Sequence, residues 1–153
     1  MSLEIERKFL VAGAGWQSQS ALSVAIAQFY LANTDKAVIR LRIVDEEEAF
    51  LTIKSAVKGS IRSEFEHSVP VEEARAMMEM RQGLVIKKRR HFVPWGDLRW
   101  EIDVFEGAHA GLVIAEIELP TADTPFERPD WLGREVTGIR SYYNADLAIR
   151  RPD

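Results

Sequence analysis

The 153-residue chain has no cysteine, so disulfides and thiolate metal sites are excluded and any metal must be held by oxygen or imidazole. Its three histidines, His67, His91 and His109, show no spacing that suits a metal site, and they read as surface or hydrogen-bonding residues. Basic residues are not in excess: 20 Lys and Arg against 24 Asp and Glu give a net charge of −4. That balance argues against broad binding to nucleic acid, which needs a basic surface to displace counterions. Nowhere do about 18 apolar residues run together, and no basic stretch followed by an apolar run opens the chain. Neither a membrane span nor a signal peptide is expected, and a cytoplasmic location is. No Gly-rich run leads into a helix, so Gly107 and Gly111 read as turn residues and not as a phosphate loop. Repeats and low-complexity segments are absent too, and residues 1–153 read as one domain large enough for a core.

What the chain does have is alternation of apolar and polar residues, the period of a half-buried strand. It predicts eight strands, near 2–11, 27–33, 37–45, 49–56, 61–69, 84–93, 98–106 and 113–119. Short polar links separate several of them (Asn33-Thr34-Asp35-Lys36, Asp45-Glu46-Glu47-Glu48, Lys58-Gly59-Ser60, Pro94-Trp95-Gly96-Asp97), which implies antiparallel neighbours. A proline, early glutamates and strong helix formers predict a helix over 70–80, with Met77, Met78 and Met80 packing it down. Shorter helical patches are expected within 15–26 and after Asp130, and the proline-rich stretch 121–129 reads as irregular. Trp95, Trp100 and Trp131 read as core or cover.

The charges are what distinguish these strands. Residues of one parity are Glu4, Glu6 and Lys8, then Arg40 and Arg42, Lys54, Glu64 and Glu66, Lys88 and Arg90, Glu101 and Asp103, Glu116 and Glu118. The other parity is largely apolar, as in Ile39, Leu41 and Ile43, or Trp100, Ile102 and Val104. A plain antiparallel sheet wetted on one face gives the same alternation. Against that stand the like-sign pairs at i and i+2, where a merely solvated face intersperses signs. Too little helix is available, besides, to cover a broad open sheet. The fold expected is therefore α+β and β-dominated: an eight-stranded antiparallel β-barrel with a charged interior and a few covering helices. Such an interior suits a polyanion held by guanidinium and ammonium groups, with magnesium or manganese between it and the carboxylates.

The order of these pairs resembles the CYTH superfamily, the triphosphate tunnel metalloenzymes, in its short single-domain bacterial form. Glu4-x-Glu6-x-Lys8 is similar to the family's opening E-x-E-x-K, Gln28-Phe29-Tyr30-Leu31 to its Q-x-Y-L, and Arg40-Leu41-Arg42 to its R-x-R. Lys54, Arg62-x-Glu64-x-Glu66, Lys88-Arg89-Arg90, Glu101-Ile102-Asp103 and Glu116-Ile117-Glu118 follow in the family's order, and Trp131 to Thr137 with Tyr143-Asn144 resembles its C-terminal segment. His91 departs from the pattern, standing where a tyrosine is frequent.

The resemblance implies a barrel that forms a tunnel and the hydrolysis of triphosphates, most simply inorganic tripolyphosphate and then nucleoside triphosphates. It implies metal ligation by Glu4, Glu6, Asp103, Glu116 and Glu118, with Glu101, Glu64 and Glu66 in support. Phosphate binding falls to Lys8, Arg40, Arg42, Lys54, Lys88 and Arg90, and the catalytic set is Glu4, Glu6, Lys8, Glu116 and Glu118. The implied cofactor is Mg2+ or Mn2+; no nucleic acid or membrane partner is expected, and the assembly is left between monomer and homodimer. A class IV-type adenylate cyclase stays open as an alternative, since it needs the same metals and triphosphate clamp, and so does a non-catalytic polyphosphate-binding module.

Overall fold

The computed structural model describes residues 2–55 and 61–149. The chain runs β1 (Ser2–Val11), β2 (Leu22–Asn33), β3 (Ala37–Val44), β4 (Glu48–Ser55), β5 (Ile61–Val69), α1 (Val71–Met77), β6 (Gln82–Trp95), β7 (Leu98–Phe105), β8 (Val113–Glu118), β9 (Leu132–Glu135) and α2 (Asn144–Leu147). Around the ring the order is β5-β4-β3-β2-β6-β7-β8-β1, and β1 pairs back to β5, so eight strands close into a barrel in which every pairing is antiparallel. Closure leaves the ring no free edge except where β1 runs on past Ile5, beyond its pairing with β5.

Polarity is inside-out. The charged parity faces a cavity within the barrel, and the apolar parity packs outside it. On β1, β6, β7 and β8, Phe9, Val93, Trp100, Ile102, Ala115 and Ile117 are buried with Trp16, Leu119 and Trp131 from the flanking segments. On β2, β3 and β4, Phe29, Leu41, Ile43 and Ala49 bury against Ala74 of α1. This arrangement excludes the plain wetted sheet, because the charged face does not look out into bulk water.

Helix α1 starts after Pro70, whose missing N–H costs nothing there, and Glu72 and Glu73 sit favourably in its first turn. It is shorter than the 70–80 predicted: residues Met78–Met80 tighten into a 3-10 turn. Met77 and Met78 pack on the sheet, whereas Met80 is exposed. The patch expected within 15–26 reduces to a 3-10 turn at Gln17–Gln19, because Leu22 onward already pairs with Phe92 as the start of β2. Strand β9 escaped prediction: it has only four residues, with Gly133 among them, and exists because Phe9 and Val11 of β1 offer a free edge there. Beyond it come a 3-10 turn (Arg140–Tyr142) and α2, the short helices expected after Asp130. The stretch 121–129 is irregular as read. The turn at Asp45-Glu46 takes positive φ at both residues and is solvent-exposed. The expected turn at Lys58-Gly59-Ser60 lies outside the described residues.

The interior is not charged throughout. At one end of the barrel, Val38, Ile86 and Ile114 continue the inward parity of Arg40, Lys88 and Glu116 and pack with Tyr30, Phe105 and Leu147 of α2. Short α2 is held there by backbone bonds to β6 (Leu84 N to Ala148 O, 2.6 Å) and by His109, whose Nε2 lies 2.6 Å from Leu147 O.

Candidate active site

Register dictates which charges meet. Along β1 and β8, Lys8 stands opposite Glu116 and Glu6 opposite Glu118. The first is an ion pair, Lys8 Nζ to Glu116 Oε1 at 2.8 Å; the second sets two carboxylates against each other, which is unfavourable unless a cation intervenes. Between β7 and β8, Glu101 stands opposite Glu116, a second such opposition. Glu4 is held by Lys54 of β4, with Nζ 2.8 Å from Glu4 Oε2, yet that buried oxygen receives no well-directed hydrogen bond.

On the facing wall the arginines of β3 have neutral neighbours. Arg40 donates to Thr52 Oγ1 (3.1 Å) and Arg42 to Gln28 Oε1 (3.2 Å), and Arg40 Nε is buried without a partner. Among the described residues neither arginine forms an ion pair. Arg90 differs: it makes a bidentate contact to Asp103 (2.8 and 2.9 Å) and reaches Glu101 (3.2 Å). Lys88 Nζ also bonds to Asp103 (2.6 Å) and to Asn144 Oδ1 (3.0 Å).

Proton affinities follow these surroundings. Burial raises the Glu6 carboxyl well above the usual range, and Glu116 and Glu4 add to the rise against the pull of Lys8. Glu118 is raised by burial and then by Glu4, Glu101 and Glu64. Burial would raise Glu4 as well, but Lys54 and a hydrogen bond with Glu6 overcome it and hold Glu4 at about 2. For Glu116 the same burial is overcome by Lys8, Arg90 and Lys88, leaving it well below its ordinary value. Burial, then the charges of Arg40 and Arg90, push Arg42 down to about 9. Lys88 is pushed down by burial to about 7 against the attraction of Asp103. The positive charges of Arg90 and Arg42 lower it further, while Glu116 opposes them.

The cavity so formed has a volume of about 400 Å³, within the usual range for a small-molecule site. Glu4, Glu6, Lys8, Arg40, Arg42, Lys54, Glu64, Glu66, Arg90, Glu101, Glu116 and Glu118 all line it. Lys88 and Asp103 do not; they sit behind Arg90, with exposures of 1% each. Sequence reasoning gave no site role to Tyr30, Arg62, Arg99, Tyr143 or Asn144, which also line the wall. Arg62 shares the inward parity of Glu64 and Glu66, so its signal was present in the strand; Tyr143 and Asn144 were marked only by the family resemblance, which gave them no role, and no periodicity points to them.

A sequence profile of the CYTH domain matches residues 2–148. The chain belongs to the CYTH family. An inorganic triphosphatase of Acetivibrio thermocellus is 40% identical over 153 residues, covering 99% of this chain and 96% of the relative. An inorganic triphosphatase of Nitrosomonas europaea is 36% identical over 154 residues, covering 97% and 99%. The crystal structure of the inorganic triphosphatase NE1496 superposes with a TM-score of 0.72 at 33% identity, covering 100% of this chain and 99% of that one. For a CYTH barrel the fit to a divalent cation can be judged on the residues themselves. Among the described residues no three or more His, Asp or Glu side chains stand close enough together to hold a metal ion as placed. The chemistry nevertheless fits: the donors are all oxygen, Glu4 Oε2 lacks a hydrogen bond, and Glu6 and Glu118 oppose each other with raised proton affinity. Asp103 fits poorly, since both its oxygens are taken by Arg90 and Lys88.

Proposed function

We propose that this protein is a divalent-cation-dependent inorganic triphosphatase, which cleaves the terminal phosphoryl group of tripolyphosphate. The observation that carries this reading is the division of one cavity into two unbalanced walls. Among the described residues Arg40 and Arg42 form no ion pair, and Glu6 stands opposite Glu118 with the proton affinity of both raised. A polyanion satisfies the first wall, and a divalent cation the second.

Arg40, Arg42 and Arg90 offer planar forks to phosphate oxygens, while Lys8 and Lys54 act as point charges. They align the chain of phosphates for in-line attack by water on the terminal phosphorus and stabilise charge on the departing diphosphate. Bound by Glu4, Glu6, Glu116 and Glu118, magnesium or manganese would neutralise phosphate charge and acidify the attacking water. Lys88 and Asp103 act from behind, Asp103 by fixing the plane of Arg90. Among the described residues the lining offers no free aromatic face for a base: Tyr30 is buried and bonded to Gln28, and the Tyr143 ring has two cations against it. Inorganic triphosphate is therefore favoured over nucleotides.

Phosphate release from tripolyphosphate and from ATP, each with Mg2+ or Mn2+, tests the proposal. Orthophosphate is expected chiefly from tripolyphosphate. No release from either substrate defeats the proposal, and cyclic AMP from ATP would redirect it to the cyclase branch.

A further inference from the structure

Resting on the triphosphatase reading, we infer that Arg62 is a further phosphate-binding cation of the cavity, and that Tyr143 is the residue that positions it together with Lys8. The inference begins at a gap in the barrel wall. On one edge β1 pairs with β5 only as far as Ile5 and with β9 only from Phe9. Between them the C-terminal segment wedges in: Val136 N donates to Lys8 O (2.7 Å) and Lys8 N donates to Thr137 Oγ1 (2.8 Å).

Tyr143 is the side chain this wedge sends into the cavity. Its hydroxyl accepts from Gly138 N at 2.8 Å and it is 8% exposed, so the ring is fixed. Two cations lie over that ring, Lys8 Nζ at 4.8 Å and Arg62 Cζ at 5.3 Å from its centroid. Lys8 has Glu116 as a partner. Arg62, half-buried on the inward face of β5, makes no ion pair and no side-chain hydrogen bond among the described residues. An aromatic face satisfies the plane of a guanidinium while leaving its N–H edge free. Arg62 lines the cavity beside the basic wall, and its charge is felt at Lys54 and Tyr30. With Arg40 and Arg42 it is a third arginine in the cavity without a carboxylate, and a phosphate oxygen is the partner it lacks.

The test measures tripolyphosphate binding by calorimetry in EDTA, alongside kcat and KM with Mg2+, for wild type, Arg62→Gln, Tyr143→Leu, Tyr143→Phe and the double variant Arg62→Gln/Tyr143→Leu. Losing a charge-assisted bond predicts about 10- to 150-fold weaker binding for Arg62→Gln, seen in KM more than in kcat. Losing the ring predicts about 3- to 30-fold weaker binding for Tyr143→Leu, and phenylalanine, which keeps the ring, recovers most of it. In the Arg62→Gln background the Tyr143→Leu effect shrinks, because part of it acts through Arg62. Wild-type binding with Arg62→Gln unchanged overturns the inference. An undiminished Tyr143→Leu effect in the Arg62→Gln background overturns the positioning role. Should Tyr143→Leu fail to fold, Arg62→Gln and Tyr143→Phe still decide: weakened binding in the former with near-normal binding in the latter supports the inference. Absence of binding and turnover in the wild type strikes instead at the triphosphatase reading on which this rests.

Discussion

Replacing Asp103 by asparagine isolates what the buried charge cluster behind the cavity does. Asp103 is 1% exposed and neutralises both Arg90 and Lys88. Asparagine keeps the shape but turns one acceptor oxygen into an N–H2 facing groups that donate, Arg90 at any pH and Lys88 while it is protonated. Removing one partner of a buried ion pair costs about 3–5 kcal/mol. In a domain of this size each kcal/mol is worth about 2–4 °C, so the melting temperature of the substrate-free protein should fall by about 6–20 °C.

The loss should also depend on pH, with a sign fixed by Lys88. Its folded-state value of about 7 lies below the ordinary 10.5. Lys88 therefore adds stability only as pH rises from about 7 towards 10.5, where the unfolded chain holds a proton that the folded chain has shed. Near pH 8 Lys88 is largely neutral in both proteins, and the penalty comes from Arg90 alone. Near pH 5.5 the wild type protonates Lys88 beside Asp103, whereas the variant has lost that attraction. At about 1.36 kcal/mol per unit over about 1.5 units, the penalty grows by up to about 2 kcal/mol. Thermal unfolding followed by circular dichroism at the two pH values measures both effects. A variant melting within about 2 °C of wild type at both would refute the reasoning.

Three further outcomes are expected. Glu6→Gln should lower turnover at least about 10- to 100-fold through loss of cation binding. Because the Glu6 carboxyl is raised, it destabilises the fold once ionised, so the cation-free variant should melt above wild type at neutral pH and lose the rise that Mn2+ gives; a lower melting point would contradict this. Arg42→Ala should weaken tripolyphosphate binding about 10- to 150-fold, read in KM, while the ligand-free protein becomes more stable, since Arg42 is pushed down to about 9 by burial and by its basic neighbours. Gly83→Ala should destabilise the docking of α2, because Gly83 has φ +72° and a Cβ there would lie 2.2 Å from Ala148 O. Faster amide exchange at Leu84 and Ala148, with the outer core unaffected, would report it.

Alternation carried most of the barrel, because a period-two pattern is a direct consequence of strand geometry and each charged pair recurs on its own strand. The limits arose where structure depends on distant partners. The first five residues of β2 are strand because Leu22 to Ile26 pair with Lys88 to Phe92, and β9 is one because β1 offers an edge; neither segment carries a like-sign charged pair at i and i+2. The same holds in the site. Parity placed Lys88 and Asp103 on the inward face correctly, but parity carries no information about depth, and Arg90 stands between them and the cavity. Tyr143 reaches the wall from an irregular segment with no period to read. The apolar end of the tunnel was missed for a related reason: Val38, Ile86 and Ile114 are inward residues whose hydrophobicity reads as ordinary core.

The two walls also bear on how the alternatives differ. A module that only binds polyphosphate needs unpaired cations and nothing more; carboxylates set against one another would repel its ligand and raise the cost of the empty fold. This barrel holds Glu6 opposite Glu118 and Glu101 opposite Glu116, next to arginines that already bear uncompensated positive charge. Glu101 and Glu116 are drawn off by Arg90 and Lys8, but among the described residues Glu6 and Glu118 form no ion pair with Arg40 or Arg42, although Lys8, Lys54 and Arg90 show that the same barrel forms such pairs readily. Keeping the two sets apart makes sense when each awaits a different ligand: an anion for one wall and a divalent cation for the other, brought together across the phosphoryl group that lies between them.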